Sequence, residues 1–389
     1  MLTFFPDNYP WNVAASMALQ LGGRLAEINE ACAPLQEYTP QAVAAEGAAA
    51  ISHWWECWSA LATRVQGLAE KDRAAGHQLS AGGKFLRASI YHMMAERMAS
   101  HRDPRKMQAY QSMQATFCEG VRLRRDALSF VSIPYEGVEL PALFIAPAAT
   151  HPVPCMIHFS GFDVHKELNY LCEMTTALLA RGIAVLHVDH PGVGEALRIL
   201  GLPAIADTER PAAAAVDWLE HRAGIDAKRI GIIAPSLGGY FAARAAAFEP
   251  RLACCVAWGA RFNNDASHGR ILRDPKATRS LTNWLEHAMW VYGTTDVEST
   301  AKAMAALTLE GGVAESIRCP LLITHGINDS LVRIDQAQNM YEHATGAARR
   351  ELKIFRADEG GIEHCGVDNW SIQVDYMADW IAGTLGGHT

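Results

Sequence analysis

The sequence predicts an α/β protein in which an all-helical N-terminal region precedes a mostly parallel central sheet covered by helices. Three observations predict this architecture. The first third of the chain is rich in helix-forming residues, and the remainder alternates short β-rich runs with helical stretches. The chain has 389 residues, of which 50% are hydrophobic and 20% are charged, which favours one large domain and one smaller domain.

The N-terminal region, from about Asn12 to Arg125, contains mostly Ala, Leu, Met, Glu, Gln and Arg. Two short breaks, Ala81-Gly82-Gly83 and His101-Arg102-Asp103-Pro104, are expected to separate its helices. We therefore expect residues 1–127 to form a helical domain. Apolar residues recur there at helical spacing, for example Leu86, Ile90, Met93, Met94 and Met98.

After Arg125 the chain contains a series of runs that are typical of strands. They are Leu128 to Pro134, Leu140 to Ile145, Cys155 to Phe159, Ala184 to Val188, Ile230 to Ile233, Ala253 to Trp258, Leu321 to Thr324 and Leu352 to Phe355. The first two are expected to form a hairpin around Glu136-Gly137. The later runs are separated by helix candidates, which indicates parallel crossovers and a sheet covered on both faces. These candidates are Ala212 to Arg222, Leu237 to Phe248 and Trp370 to Leu385.

The segment from about Arg261 to Ser316 is too long for a simple connection between two strands. Its Trp284, Met289 and Trp290 suggest a helical insertion over one edge of the sheet. We therefore expect residues 128–389 to form the second, larger domain, with this insertion as part of it.

The composition points to a small-molecule partner rather than to a nucleic acid or a membrane. The formal net charge is −8, and the basic residues are scattered along the chain. Nine cysteines with no C-x-x-C pair favour buried thiols over a disulfide framework or a zinc cluster. No signal-peptide pattern follows Met1, and no apolar run of about 18 residues occurs. We expect a cytoplasmic protein that needs no metal or organic cofactor.

The clearest chemical motif lies where a predicted strand runs into a predicted helix, at Ala234-Pro235-Ser236-Leu237-Gly238-Gly239. Small residues two positions before and after Ser236 allow a sharp turn that presents the serine hydroxyl at the N-terminus of the helix. Ala234 stands where the G-x-S-x-G pattern has glycine. The alternative interpretation is that Ser236 only caps the helix. We predict that Ser236 is the nucleophile.

A serine nucleophile requires a histidine base and an acid, which follow it in the order Ser, Asp, His in this type of fold. Asp329 lies in the loop after the predicted strand Leu321 to Thr324, and His364 lies in a glycine-rich loop after the last predicted strand. An Asx-turn aspartate and a surface histidine are the alternative interpretations. We predict that Asp329 orients His364, which acts as the base.

Other residues compete for these roles. Asp335 and Asp358 are possible replacements for Asp329 as the acid. His325 lies at a strand end, where a buried, hydrogen-bonded histidine is the expected role. Glu363 adjoins the base in sequence and is expected to point away from it.

An acyl-transfer site also needs N–H donors for the oxyanion that develops in the transition state. We expect one to be the backbone N–H of Leu237, directly after the nucleophile. The other should come from Ser160-Gly161-Phe162-Asp163, where Gly161 permits close approach of the backbone and Phe162 N–H is the candidate. An ordinary strand-ending turn is the alternative interpretation of this segment.

The segment Val188-Asp189-His190-Pro191-Gly192-Val193-Gly194-Glu195 contains G-x-G after a strand, a feature of dinucleotide-binding sites. Leu197 replaces the third glycine of that pattern, and Pro191 interrupts the tight turn into a helix. We therefore do not expect nucleotide binding.

Four segments together resemble the α/β-hydrolases related to 2,6-dihydroxypseudooxynicotine hydrolase. Fungal polyketide-shortening hydrolases share the pattern, and FrsA-type esterases share it more distantly. The resemblance is strong over about Leu140 to Gly386, and Leu86-Arg87-Ala88-Ser89-Ile90-Tyr91 is the main match in the helical third. The four segments are Pro235-Ser236-Leu237-Gly238-Gly239, Glu249 to Gly259, Asp189 to Glu195 and Gly361 to Asn369.

The resemblance implies that the N-terminal helices form a cap over the active site, that the triad is Ser236, Asp329 and His364, and that a homodimer is plausible. It also implies hydrolysis of a carbon–carbon bond next to a ketone, in an acyl ketone or a polyketide-like substrate. Ester or thioester hydrolysis and acyl-transfer cyclisation are the alternatives within catalysis. A catalytically silent, hydrolase-like binding protein is the alternative outside it.

Overall fold

The computed structural model describes residues 1–264, 272 and 279–388. These residues divide into two compact units. One contains residues 1–127 and 279–287, and the other contains residues 128–264 and 288–388. The segment expected to be an insertion of the catalytic region, residues 261–316, is therefore shared between the units. Its residues 265–271 and 273–278 lie outside the described residues.

The first unit is helical. Its helices are α1 (Tyr9–Gln20), α2 (Leu25–Cys32), α3 (Pro40–Glu46), α4 (Ala48–Ala74), α5 (Gln78–Met98) and α6 (Pro104–Arg124). Proline occupies the first turn of α1, α3 and α6, where its missing N–H costs no helical hydrogen bond. The apolar residues at helical spacing between Leu86 and Met98 are all buried on α5, as the sequence predicts.

One of the two breaks expected in the helical region is wrong. Helix α5 runs through Ala81-Gly82-Gly83, and the chain turns earlier, at Gly76, which has φ of +83°. Gly82 is a packing residue, because a Cβ there would lie 2.9 Å from the carbonyl oxygen of Gly120 on α6. The second expected break is confirmed, since α5 ends at Met98 and α6 begins at Pro104.

The aromatic residues of the first unit form its core. Trp54 and Trp58 on α4 are fully buried, and the indole N–H of Trp54 donates to the carbonyl oxygen of Met94 at 2.7 Å. The rings of Trp11 and Trp54 lie 4.8 Å apart. Buried aromatic surface of this extent stabilises the packing of helix against helix. Within the described contacts these side chains pack in the core of their own unit.

The second unit is built on an eight-stranded sheet, formed by residues that the structure describes. Its strands are β1 (Leu128–Tyr135), β2 (Val138–Ile145), β3 (Val153–Phe159), β4 (Ala184–Val188), β5 (Ile225–Pro235), β6 (Cys254–Trp258), β7 (Leu321–Gly326) and β8 (Arg350–Phe355). Every run predicted as a strand forms one. The order is β1-β2-β4-β3-β5-β6-β7-β8, and the sheet is parallel from β4 through β8. The hairpin around Glu136-Gly137 is also confirmed.

The remaining helices follow the strands from β3 to β8 along the chain. They are α7 (Lys166–Leu171), α8 (Glu173–Ala180), α9 (Gly194–Arg198), α10 (Glu209–Glu220), α11 (Gly238–Phe248), α12 (Trp284–Tyr292), α13 (Val297–Ala305), α14 (Ile334–His343) and α15 (Trp370–Leu385). The three helix candidates are confirmed, with shifts of a few residues for α10 and one for α11. Helix α12 begins in the first unit and ends in the second.

Strands β3, β4 and β6 are buried along their whole length, which places them in the centre of the second unit. Because these strands are parallel to β5 and β7, their carboxyl ends meet at the same edge of the sheet. Ligands of open parallel sheets bind outside that edge. The loops after β3, β5, β6, β7 and β8 therefore lie at the edge where a ligand is expected to bind. No helix among the described residues combines the length and the apolar character needed to cross a membrane.

Candidate active site

Ser236 occupies the sharp turn between β5 and α11. Its φ is +63°, a left-handed conformation that a residue other than glycine adopts only under local constraint. Its N–H donates to the carbonyl oxygen of Trp258 at 2.7 Å, which fixes the turn against β6. Gly238 has no room for a side chain, since a Cβ there would lie 2.6 Å from the Cβ of Ala234. The small residues on both sides of Ser236 therefore allow the turn to close.

Ser236, His364 and Asp329 form a continuous chain of hydrogen bonds. The Nε2 atom of His364 lies 2.8 Å from the hydroxyl oxygen of Ser236, and its Nδ1 atom lies 2.7 Å from Oδ2 of Asp329. Both distances are within hydrogen-bond range. The structure thus brings together the three residues that the sequence singled out from three separate loops.

Asp329 is held by the backbone of its own loop. Its Oδ1 atom accepts hydrogen bonds from the N–H groups of Leu331 and Val332 at 2.9 and 2.8 Å, so only Oδ2 faces His364. The side chain is fully buried. A carboxylate that is fixed in this way can hold one tautomer of the imidazole.

His364 is positioned by the loop between β8 and α15. The carboxylate of Asp368 accepts hydrogen bonds from the N–H groups of Ile362 and Glu363, directly before the histidine. On the other side, the amide of Gln373 donates to the carbonyl oxygen of Gly361. These contacts come from α15 and its N-terminal turn, so the last helix of the chain fixes the place of the imidazole.

The competing residues lie elsewhere. Asp335 is 41% exposed and pairs with Arg333, and Asp358 is exposed. His325 is buried, as expected, and its Nε2 lies 3.0 Å from the carbonyl oxygen of Val332. The carboxylate of Glu363 makes no hydrogen bond to the ring of His364 in the described part of the chain. Of the candidate acids, the structure places only Asp329 against His364.

Two opposing effects act on the pKa of His364. Burial lowers this pKa, because it penalises the charged ring, but the charge of Asp329 and its hydrogen bond raise it. The net result is a pKa well above the usual value of 6.5. For Asp329, burial raises the pKa, and the charge of His364 lowers it to a net value below 3.8. The pair therefore favours an ionised carboxylate beside an imidazole that binds a proton readily.

The substitution Asp329→Asn is expected to lower kcat/KM by roughly 10²- to 10⁴-fold, because the imidazole loses both its orientation and its counter-charge. It should also move the acid limb of the pH profile to lower pH. Only neutral His364 accepts the serine proton, so activity is lost below its pKa. Removal of the carboxylate lowers that pKa. A pH profile of kcat/KM for both proteins measures the shift.

Asp335→Asn is the matched control for this prediction, because the aspartate is exposed and paired with Arg333 outside the hydrogen-bond chain. It should leave both the rate and the acid limb unchanged. If Asp335→Asn or Asp358→Asn proves more harmful than Asp329→Asn, the assignment of the acid is wrong.

The proposed oxyanion donors lie on two loops that meet at Ser236. In the described part of the chain, the N–H of Leu237 makes no intramolecular hydrogen bond. The loop that contains Phe162 comes very close, since a Cβ on Gly161 would lie 3.2 Å from the Cβ of Ser236 and 2.7 Å from the carbonyl oxygen of Pro235. Gly161 therefore allows its loop to pack against the turn at Ser236, while close approach of this backbone to a substrate stays a prediction.

A buried cluster of charges supports the loop that contains Phe162. The ammonium group of Lys166 contacts the carboxylates of Glu167, Asp189 and Glu195 at 2.9, 3.1 and 2.7 Å. Asp189 also accepts hydrogen bonds from the backbone N–H groups of Lys166 and Glu195. Groups paired this completely are costly to disrupt, because any one left alone would be a buried, unpaired charge. The cluster thus ties the loop after β3 to the loop after β4.

Close packing accounts for both glycines of the G-x-G sequence after β4, and the charge cluster for one of them. Gly194 has φ of +49°, and a Cβ there would lie 2.0 Å from the carboxylate of Asp189. A Cβ on Gly192 would lie 2.5 Å from the Cβ of Ala204. Both glycines are required by packing within the loop.

Two residues near the triad were not found from the sequence. The thiol of Cys365 lies 3.7 Å from Nε2 of His364 and donates to the carbonyl oxygen of Trp258. Arg261 is buried three residues after the end of β6. A rule that inspects every residue just beyond the carboxyl end of a central strand would have found Arg261. All nine cysteines are free thiols.

The mostly parallel sheet, the helices on it and the strand–turn–helix at Ser236 define an enzyme of the α/β-hydrolase class. The family model for FrsA-like proteins, described as esterase FrsA-like, matches residues 50–340. This chain belongs to that family of hydrolases.

Relatives at the level of sequence and structure agree with this placement. The chain is 30% identical to the 2,6-dihydropseudooxynicotine hydrolase of Paenarthrobacter nicotinovorans, over 85% of this chain and 84% of the relative. It is 26% identical to the 20-hydroxy-prefusarin hydrolase of Gibberella moniliformis, over 85% and 88%. The crystal structure of the 2,6-dihydroxy-pseudo-oxynicotine hydrolase matches with a TM-score of 0.78 at 25% identity, and the match covers 95% of each chain. The resemblance seen in the sequence is thereby confirmed.

Proposed function

We propose that this chain is a serine hydrolase that cleaves a carbon–carbon bond next to a ketone through an acyl-enzyme on Ser236. The observation that supports this most strongly is the chain of hydrogen bonds from Ser236 through His364 to Asp329. It begins at a serine that has a left-handed backbone conformation. The likeness to polyketide-type hydrolases favours an acyl ketone or a related β-dicarbonyl as the substrate.

The first half of the reaction forms the acyl-enzyme. Nε2 of His364 takes the proton of Ser236 as the serine oxygen bonds to the carbonyl carbon, whose π electrons move onto oxygen. The N–H groups of Leu237 and Phe162 stabilise this oxyanion. The carbonyl then re-forms as the carbon–carbon bond breaks. The electron pair leaves on the α-carbon as an enolate, which takes the proton from His364.

The second half of the reaction releases the acid. His364 takes a proton from water, and the resulting hydroxide attacks the acyl-enzyme. Collapse of the tetrahedral intermediate returns that proton to the oxygen of Ser236. The net reaction converts an acyl ketone and water into a carboxylic acid and a shortened ketone. Asp329 remains ionised throughout and stabilises the protonated imidazole in both halves.

Ester or thioester hydrolysis would use the same residues, with an alkoxide or thiolate as the leaving group, and cyclisation would replace water by a hydroxyl of the acyl group. The family match to FrsA-like esterases favours the ester as the second candidate. We further propose that residues 1–127 act as a cap domain and residues 128–389 as the catalytic domain. The homodimer and the cytoplasmic location stay predictions from the sequence.

Two measurements on the full chain test the proposal. A fluorophosphonate should label Ser236, whereas a catalytically silent binding protein should remain unlabelled. A series of 1,3-diketones and their ester analogues should then be incubated in D₂O. Carbon–carbon cleavage places deuterium on the carbon of the released ketone, because the enolate is protonated there. Labelling of Ser236 with turnover of esters alone would replace our first candidate by the second.

A further inference from the structure

We propose that Arg261 binds a carboxylate of the substrate, so that this hydrolase acts on acyl compounds that are negatively charged near the scissile bond. This inference rests on the proposed function, because it assigns the substrate class of the site at Ser236. It identifies Arg261 as a specificity-determining residue outside the triad.

Arg261 lies beside the nucleophile by its place in the sheet. It follows β6, which runs between β5, the strand that leads to Ser236, and β7, the strand that leads to Asp329. Its backbone packs against the first turn of α11, since a Cβ on Gly239 would lie 3.4 Å from the nitrogen of Arg261. The electrostatic neighbours of its guanidinium include Asp329, which pairs with His364.

Among the residues that the structure describes, none provides a counter-ion for the buried guanidinium of Arg261. The residue is 3% exposed, and no described carboxylate lies within 4.0 Å of it. Asp329 and Asp163 act on it only from beyond that distance. By contrast, Arg244 in the same unit pairs with both Asp207 and Glu209. An unpaired charge inside a protein is strongly unfavourable, so a buried arginine of this kind is suited to bind an anion.

The arrangement of donors favours a carboxylate as that anion. Only Nη1 of Arg261 makes a hydrogen bond to a described residue, to Oδ1 of Asn264 at 3.4 Å, and Nε is buried without a partner. The Nε–Nη2 edge of the guanidinium therefore carries donors that no described residue uses. Two parallel donors on one planar edge match the two oxygens of a carboxylate.

Two neighbours of Arg261 strengthen this site. The amide of Asn264 donates to the hydroxyl oxygen of Tyr292 at 3.1 Å, which leaves the hydroxyl proton of Tyr292 available for a further acceptor. The ring of Tyr292 lies 6.4 Å from that of Phe162, on the loop that approaches Ser236. The anion would therefore lie near the acyl group and not at a remote surface.

The charge states at neutral pH fit this role. Burial lowers the pKa of Arg261, and nearby negative groups raise it, to a net value of about 10, so the guanidinium remains charged. Burial also raises the pKa of Tyr292 to about 12, so its hydroxyl remains a donor. The site thus offers one positive charge and an additional hydrogen-bond donor.

The test uses paired probes that differ only in charge. The 4-nitrophenyl half-esters of adipic, pimelic and suberic acid carry a free carboxylate, and the matching esters carry a neutral carboxamide of nearly the same shape. For the full chain, kcat/KM for at least one acid should exceed that of its amide by more than tenfold. The variant Arg261→Gln should reduce this ratio by roughly tenfold to a hundredfold, mainly through KM for the acid. Arg261→Lys should give an intermediate ratio, because it keeps the charge but loses the planar edge.

Controls separate this inference from the proposed function and from a structural role. Arg350→Gln removes an arginine that donates to two backbone carbonyls, and it should leave the ratio unchanged. Labelling of Ser236 by a neutral fluorophosphonate should proceed equally in the full chain and in Arg261→Gln. Absence of labelling in the unchanged protein would overturn the proposed function. Normal labelling with an acid-to-amide ratio near one would overturn only the carboxylate site, even if Arg261→Gln failed to fold.

Discussion

Ser236→Ala should lower kcat/KM by roughly three to six orders of magnitude without loss of folding. The hydroxyl of Ser236 lies 2.8 Å from Nε2 of His364, the proposed base, whereas the thiol of Cys365 is farther away, at 3.7 Å. We therefore expect the hydroxyl, and not the thiol, to attack the carbonyl. The turn itself depends on the backbone and on small neighbours, so an alanine at φ of +63° fits as well as serine does. Steady-state rates together with a thermal melt measure both parts of the prediction.

The effects of substituting Ser236 and His364 are not expected to add. His364→Ala alone should be nearly as harmful as Ser236→Ala, and the double variant should be little worse than either, because the residues act as a unit. Ser316→Ala, which removes a hydroxyl that donates to the carbonyl oxygen of Gly312, is the matched control and should retain full activity. Retention of more than a tenth of the activity in Ser236→Ala would reject Ser236 as the nucleophile.

Residues 128–389 expressed alone should be nearly inactive on the best acyl ketone substrate of the full chain, while a small fluorophosphonate should still label Ser236. The sheet, the proposed triad of Ser236, His364 and Asp329, and the two loops proposed to supply the oxyanion donors lie in the second unit. If the first unit is a cap, its loss admits water, and a water-free site protects the enolate from random protonation. Comparison of product formation with labelling of Ser236 measures the two effects separately.

The structure dictates the control for this truncation. Residues 279–287 group with the first unit, where Thr282 accepts a hydrogen bond from the indole of Trp11 and Asn283 donates to the carbonyl oxygen of Met98. The truncated protein would expose this segment, including the buried Trp284. As the control, a protease site is introduced at Asp126-Ala127 of the full chain, so that cleavage there leaves both pieces in the sample. This cleaved protein should stay active. Full activity of the truncated protein would contradict the proposed cap.

The sheet was predictable because its physical signals are local. Apolar runs such as Ala184–Val188 are buried on both faces, and the helices between them carry one apolar face each. Every strand could therefore be predicted from a few consecutive residues. The topology then restricted the candidate acid and base to loops after β7 and β8. That restriction is why Asp329 and His364 could be singled out among many acidic residues and sixteen histidines.

The errors arose where a residue's role depends on distant packing. From its neighbours in the sequence, Gly82 is predicted to break the helix. Its close packing against Gly120 on another helix outweighs the low helix propensity of glycine. Arg261 received no role from the sequence. Its place just beyond β6 could have singled it out, but its neighbours in the sequence do not reveal that its side chain is buried with no described partner for Nε. Similarly, the contact of Cys365 with the imidazole depends on the left-handed φ of +49° at that cysteine, which neighbouring residues do not encode.

Three glycines pack closely in the loops around Ser236. A Cβ would lie within 2.7 Å of another atom at Gly161 and at Gly238, and the same holds at Gly259, which faces the sulfur of Cys365. These positions therefore offer almost no accessible mutations, and a saturation library built on them should yield mainly inactive clones. If Arg261 and Tyr292 select the substrate as we propose, substitutions at these two positions can change the substrate while the glycines around Ser236 stay the same.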